Sequence, residues 1–309
     1  MTTPPIPALS FQPVFILGPH RSGTSALYRA LVETGAFNCV TTYHIVHRQH
    51  LLDWHVNGRE AEARAALAAR LAALGLTNRQ FDAFPVGPDV PEEYGHALPH
   101  QGRRPRLSRR NFPGFLHFCS TLQMLQEPDR PLLLKNPFDS DRFLMITRAL
   151  PHARFIFVHR NPVDVASSQV RAIRAILADR HEYEALLVEW YRQVWQRRWL
   201  LAVARAMYGS RSRLLVYQVR RNLVRLCRYV VNNVDRVNDR VVHVRYADFC
   251  ARPDVVIDSV LQFCQVTARA QPALSDLVQP RTSECHPDVR RCEAAINRQT
   301  ARYRQRFGV

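Results

Sequence analysis

The stretch 14–34 constrains this chain more than any other. Val14-Phe15-Ile16-Leu17 is an apolar run without alternation, as a strand buried on both faces requires. It stops at Gly18-Pro19. From Thr24 the spacing becomes helical, with Leu27, Ala30 and Leu31 on one face and Gly35 as a C-terminal stop. A strand that runs through a short loop into a helix belongs to a parallel sheet, because parallel neighbours need crossover connections. The unit recurs. Leu132-Leu133-Leu134 precedes a helix over about 140–150, stopped by Pro151, and Phe155-Ile156-Phe157-Val158 leads into a helix over 163–177. Val241-Val242-His243-Val244 with a helix over 255–264 makes another. The expected fold is α/β: a P-loop-like three-layer arrangement with a central, mainly parallel sheet flanked by helices. Ligands in such sheets bind beyond the C-terminal ends of the strands.

The remaining stretches fit one domain over 1–309, with a flexible Pro-rich leader at 1–12. Residues 61–73 are Ala/Leu/Arg-rich and predict a helix, and 182–207 predict one long amphipathic helix whose Trp190, Trp195 and Trp199 are expected to be buried. The stretch 211–236 fits helix or strand. Residues 77–114 carry many Pro, Gly and Arg residues and read as a long irregular insertion, of the kind that is functional or disordered in compact domains.

Composition narrows the setting. No run reaches the ~18–20 apolar residues that span a bilayer. The start, MTTPPIPALS, has neither a basic nor an apolar signal region. The seven cysteines are scattered without a CxxC pair, which argues against a disulfide framework and a zinc site and favours a reducing cytoplasm. The net charge of +17 suits an anionic partner: a nucleotide, a nucleic acid, an acidic glycan or an anionic membrane surface. A dispersed Arg-rich surface without specific partner is the alternative. No nucleic-acid motif appears, so nucleic acid is not expected as the ligand.

The loop 18–25, Gly-Pro-His-Arg-Ser-Gly-Thr-Ser, has the position and donors of an anion cradle. Backbone N–H groups gather at a helix N-terminus, Gly23 allows close approach, and Ser22, Thr24 and Ser25 add hydroxyls. Gly18, Gly23 and Ser25 match G-x-x-x-x-G-K-[ST], but Thr24 stands where the lysine belongs. Arg21 brings a cation two residues before Gly23. An ordinary β–α turn with an incidental Arg-Ser-Gly is the competing reading.

Arg-Ser-Gly-Thr after a short apolar strand resembles the phosphosulfate loop of the sulfotransferases that use 3′-phosphoadenosine 5′-phosphosulfate (PAPS). The resemblance implies that Arg21, Ser22, Gly23, Thr24 and Ser25 bind the 5′-phosphosulfate, with Arg21 where many members carry Lys and so also at the reacting centre. A second motif agrees: in Arg-Phe-Ile-Phe-Val-His-Arg-Asn-Pro-Val-Asp-Val-Ala-Ser-Ser, residues Arg160, Pro162, Asp164 and Ser168 stand in the family's register for the 3′-phosphate. A guanidinium at a strand end forks onto a phosphate, and the following helix start adds its dipole. Arg245-Tyr246-Ala247-Asp248-Phe249 is similar to a late family element that would place Tyr246 near the adenine, although a core tyrosine fits as well. The resemblance covers about 14–35, 131–170 and 241–265. It includes the tyrosyl-protein branch, whose Lys-x-Pro segment Lys135-Asn136-Pro137 matches.

By that resemblance Lys135 would stabilise charge on the transferred sulfuryl group, where a fixed cation accelerates most; a strand-end lysine facing solvent is the alternative. The acceptor is expected to carry a hydroxyl on a glycan, lipid, peptide or small metabolite. A base for its proton is either His44, in Thr-Thr-Tyr-His-Ile-Val-His-Arg-Gln-His, or Asp139. Glu92 and Glu93, in a stretch similar to one over the acceptor in bacterial members, read as exposed turn carboxylates or as hydroxyl ligands. The basic run 103–110 reads as a mobile loop or as a contact for an acidic acceptor, within an acceptor-side or lid insertion over 77–128. No metal is required, peripheral membrane contact is open, and so is the oligomeric state. The competing functions are a P-loop kinase or NTPase using ATP and a catalytically degenerate PAP-binding protein.

Overall fold

The structure, a computed structural model, describes residues 11–79, 84–98, 105–210, 212–274 and 284–309. The leader expected at 1–12 therefore lies almost wholly outside the described residues, as do Arg103 and Arg104 of the basic run.

Among the described residues, strands β1 (Pro13–Leu17), β2 (Asn38–Cys39), β3 (Leu132–Lys135), β4 (Arg154–His159) and β5 (Val241–Arg245) form one sheet in the order β2-β3-β1-β4-β5. Every pairing is parallel, with Phe15 opposite both Leu134 and Phe155. The apolar runs do not alternate with polar residues because both faces of the sheet are covered. Phe15, Leu17, Leu132, Leu134, Phe155 and Phe157 point into one buried cluster, while Val14, Ile16, Leu133, Ile156 and Val158 point into a second. That alternation, two cores from one set of strands, makes three layers and bears out the expected fold.

Helices follow in chain order: α1 (Thr24–Glu33), α2 (Thr42–Val46), α3 (Leu51–Val56), α4 (Glu60–Ala73), α5 (Phe112–Leu125), α6 (Phe143–Ala149) and α7 (Pro162–Ala178). Then come α8 (Glu182–Leu187), α9 (Glu189–Gln196), α10 (Arg198–Tyr208), α11 (Leu214–Asn233), α12 (Tyr246–Ala251) and α13 (Pro253–Cys264), with α14 (Pro287–Arg290), α15 (Glu293–Gln299) and α16 (Ala301–Phe307) closing the described chain. Helices α1, α12 and α13 supply Leu27, Leu31, Phe249, Ile257 and Val260 to the second core. The first core takes residues of α2, α4, α5, α7, α11 and α16.

Three elements differ from the sequence expectation. The insertion over 77–128 is not irregular throughout, since α5 lies inside it and buries Phe115, Cys119 and Leu122. Of the stretch 211–236, Leu214–Asn233 forms the helix α11: its valines favour a strand, but Leu215, Val219, Leu223, Cys227 and Val230 bury one stripe at helical spacing. The long helix over 182–207 is three short ones, broken at the extended residues Val188 and Arg197. Neither break has a Pro or Gly to signal it. The segment instead bends around the end of α7, where the Tyr191 hydroxyl donates to Ile176 O (3.0 Å) and Arg205 donates to Leu177 O and Ala178 O (2.8 Å each). These bonds satisfy carbonyls that a helix C-terminus leaves without partners. The tryptophans are not all buried as expected: Trp190 is 50% exposed and Trp199 64%.

Candidate functional site

The loop 18–25 leaves the C-terminal end of β1 through backbone that few residues tolerate. Gly18 (φ +149°), Arg21 (φ +72°) and Gly23 (φ +99°) all have positive φ. A side chain on Gly18 would meet the Val158 carbonyl oxygen at 2.7 Å and Ser22 Oγ at 2.8 Å. On Gly23 it would run into the Tyr246 ring. Arg21, a non-glycine residue in the left-handed region, holds strained backbone of the sort that functional loops retain. The Gly18 N–H donates to Ser140 Oγ (2.9 Å), and the Ser140 hydroxyl donates back to Gly18 O (2.6 Å), which ties the loop to the segment after β3. Ser22 Oγ is fully buried and has no hydrogen-bond partner among the described residues. A buried hydroxyl left so is costly unless a ligand completes it.

The second motif closes on the first. Asn161 caps α7 by accepting from Val163 N (2.9 Å), and Pro162 opens the helix, where a missing N–H is no loss. Arg160 then sits at the end of β4 with its guanidinium 4.4 Å from the centre of the Tyr246 ring and 3.5 Å from Arg21 O. Arg21 Nε donates to Ser168 Oγ (3.3 Å), across 147 positions of sequence. Tyr246, the first residue of α12 beyond β5, lays its ring on Gly23. Loop ends of three parallel strands thus bring Arg21, Gly23, Arg160, Ser168 and Tyr246 to one place. Gln169 joins them by donating to His20 O (2.7 Å); no motif had singled it out.

Lys135 is the last residue of β3 and only 2% exposed, so it is no solvent-facing lysine. Its Nζ donates to Ser25 Oγ (2.7 Å) and pairs with the Glu93 carboxylate. Burial alone would raise the Glu93 carboxyl, but the ammonium of Lys135, with His96 and His20 nearby, outweighs it and holds the pKa at about 2. The sequence reads Glu93 as an exposed turn carboxylate or a hydroxyl ligand over the acceptor, and does not predict its pairing with Lys135. Its neighbour Glu92 is buried too, accepting from Arg79 (2.7 Å), from the Tyr183 hydroxyl (2.6 Å) and from the Glu93 N–H (2.9 Å). Neither is an exposed turn carboxylate. No spacing rule links Glu93 to Lys135; only the fold does.

The two expected bases are placed elsewhere in the architecture. The His44 ring caps α2: Thr41 N–H donates to Nδ1 (3.1 Å), and Thr41 Oγ1 accepts from His44 N (3.4 Å), a reciprocal capping box. Burial, helped by Arg64, lowers its pKa to about 3. Asp139 is fully ligated, accepting from Tyr94 Oη (2.8 Å), Leu107 N (2.8 Å) and Asn136 Nδ2 (2.7 Å). Burial raises it to about 6 against those bonds. Through Leu107 it pins the described part of the basic run, where Arg106 also pairs with Asp141. Neither His44 nor Asp139 shares a hydrogen bond with Lys135, Ser25 or Arg21 among the described residues.

Comparison with known proteins identifies the family and the fold. A family model described as the sulfotransferase family matches residues 13–270. The fold is similar to the crystal structure of sulfotransferase STF9 from Mycobacterium avium, at a TM-score of 0.68 and 14% identity over 97% of this chain and 77% of that one. It is also similar to sulfotransferase STF1 from Mycobacterium tuberculosis H37Rv, at a TM-score of 0.55 and 15% identity over 94% and 76% of the two chains. No curated protein sequence matches. Among the described residues, no helix is long and apolar enough to cross a membrane.

Proposed function

The chain belongs to the sulfotransferase family, and we propose that it moves a sulfuryl group from PAPS to a hydroxyl acceptor, releasing PAP. The observation that carries this reading is the closure of the two anion motifs on each other, with Arg21 bonded to Ser168 and Arg160 stacked on the Tyr246 ring that covers Gly23. A donor with phosphates at both its 5′ and 3′ positions needs two cationic anchors on one nucleotide pocket. Arg21, Ser22, Gly23, Thr24 and Ser25 take the 5′-phosphosulfate, with the partnerless Ser22 hydroxyl and loop N–H groups as donors. Arg160 and Ser168 take the 3′-phosphate, and Tyr246 offers its ring to the base.

The acceptor oxygen attacks sulfur in line, a new S–O bond forms, and the bond from sulfur to the 5′-phosphate oxygen breaks, leaving the electron pair on PAP. Lys135 and Arg21 stabilise charge on the sulfuryl oxygens and the leaving phosphate. Glu93 accepts the acceptor's proton. This assignment replaces His44 and Asp139, because Glu93 is paired with the lysine that also reaches Ser25, while the other two have structural partners. Lys135 keeps Glu93 ionised. Once Lys135 turns to the donor's anionic groups, the carboxylate loses its counter-ion and gains basicity.

Phosphoryl transfer from ATP is less well supported. The hydroxyl of Ser25, the metal-binding position of an ATP loop, is held by the Lys135 ammonium, and Thr24 leaves no loop lysine. The seven cysteines, all free, fit a reducing cytoplasm. The test is transfer of radiolabelled sulfate from PAPS to a panel of alcohols, phenols, glycans and hydroxylated lipids. Acceptor-dependent release of PAP is expected, and transfer from ATP with none from PAPS would overturn the reading.

A further inference from the structure

Between Trp190 and Val234 the chain carries ten arginines and no Asp or Glu. This stretch contains α10, a helix with no buried residue despite a strongly amphipathic sequence. Trp199, Val203 and Met207, spaced four apart, lie on one face and are 64%, 48% and 39% exposed. Ala202 and Ala206, also exposed, complete that stripe at helical spacing. A globular helix normally turns such a stripe to the core. Here the stripe faces solvent, because α10 is held to the end of α7 through Arg205 on its other side. The arginines nearest the stripe, Arg197 and Arg198, are exposed and pair with no carboxylate among the described residues.

We propose that the α10 face docks on an anionic lipid bilayer surface. The chemistry specifies this occupant over the alternatives. A Trp-led apolar stripe flanked by arginines, on a helix that itself carries no Asp or Glu, is the composition of a helix that lies in a membrane interface. A second copy seated on the same stripe would set Arg197 and Arg198 against their own counterparts, a like-charge contact that disfavours pairing. Nucleic acid would use the arginines but leave the Trp-Val-Met stripe in water, since that stripe offers a single ring for stacking. The chain is thereby held against a bilayer without a spanning helix.

The full chain is mixed with vesicles of phosphatidylcholine alone or with added phosphatidylglycerol, and bound protein is measured by flotation. Binding to the anionic vesicles only, weakened by salt, is expected. The double substitution Trp199→Ser with Val203→Ser should lower the bound fraction by about tenfold or more, while Val56→Ser, at an exposed apolar position on α3, should not. Because these positions are exposed, both variants should melt with the parent protein. Failure of the parent to float with anionic vesicles, or equal binding by the double variant, overturns the proposal. So does a concentration-dependent dimer in sedimentation that the double substitution dissolves, which would assign the face to a second copy.

Discussion

Glu93 and His44 show how neighbours decide the chemistry of a titratable residue. Both are buried, yet Glu93 is held as an anion by Lys135, whereas His44 is held neutral by a low-dielectric setting and Arg64. Glu93→Gln keeps the size and a hydrogen bond to Lys135 but cannot take a proton. We expect it to lower kcat by about 10²- to 10⁴-fold while the PAP dissociation constant stays close to that of the parent. A rise in KM for PAPS with kcat unchanged would make Glu93 a binding residue instead. For His44 the consequence is in stability. Its folded pKa of about 3 lies below the ordinary 6.5, so below pH 6.5 the unfolded chain takes up a proton that the folded chain refuses. Stability therefore falls as the pH drops from 6.5 towards 3, by at most about 1.4 kcal/mol per pH unit for one group. His159, also pushed down by burial and by His243, acts in the same direction. Asp139 opposes them: raised from 3.8 to about 6, its contribution is present below 3.8 and is lost as the pH rises through 6. His44→Gln preserves the capping box with a side chain that does not titrate. Chemical denaturation of that variant between pH 4 and 7 should show a shallower loss of stability on acidification, and an unchanged slope would contradict the burial assigned to His44.

At the scale of elements, the strand–loop–helix units govern what sequence can disclose. β1, β3 and β4 were legible because a strand covered on both faces is a continuous apolar run, and β5, at the sheet edge, by its valines around His243; these strands place their loops at one edge of the sheet. The loop proposed to bind the anion was legible for the same reason, as glycine and hydroxyl residues sit at a fixed offset from β1. What stayed hidden depends on contacts between distant segments. The two-residue β2 has too little length to show a pattern. The breaks at Val188 and Arg197 follow from bonds to the end of α7 rather than from local residues. Glu93 reaches Lys135 only because 84–98 folds over the end of β3, with Gly95 packed on Asn136. The loop itself yields a prediction. Gly23→Ala puts a methyl group into the Tyr246 ring in a left-handed backbone, a strain of about 1–3 kcal/mol. We expect a folded protein whose PAP affinity drops by about tenfold or more by calorimetry. Parent-like affinity would mean that the fit of Tyr246 on Gly23 is immaterial to the nucleotide.

At the scale of the molecule, one parallel sheet with a core on each face gives a rigid frame, and the strand order β2-β3-β1-β4-β5 sets β1 between β3 and β4. That order puts Lys135 on one side of the anion loop and Arg160 on the other, so a nucleotide phosphorylated at both ends would bridge them. The proposed donor, PAPS, would then be distinguished from ordinary adenine nucleotides by its 3′-phosphate. Calorimetric titration with PAP beside ADP, which lacks that group, tests this most directly. PAP is predicted to bind about tenfold or more tightly than ADP, because Arg160 and Ser168 have a phosphate to hold only in PAP. Equal affinities, or tighter binding of ADP, would contradict the two-anchor site and with it the assignment of PAPS as donor.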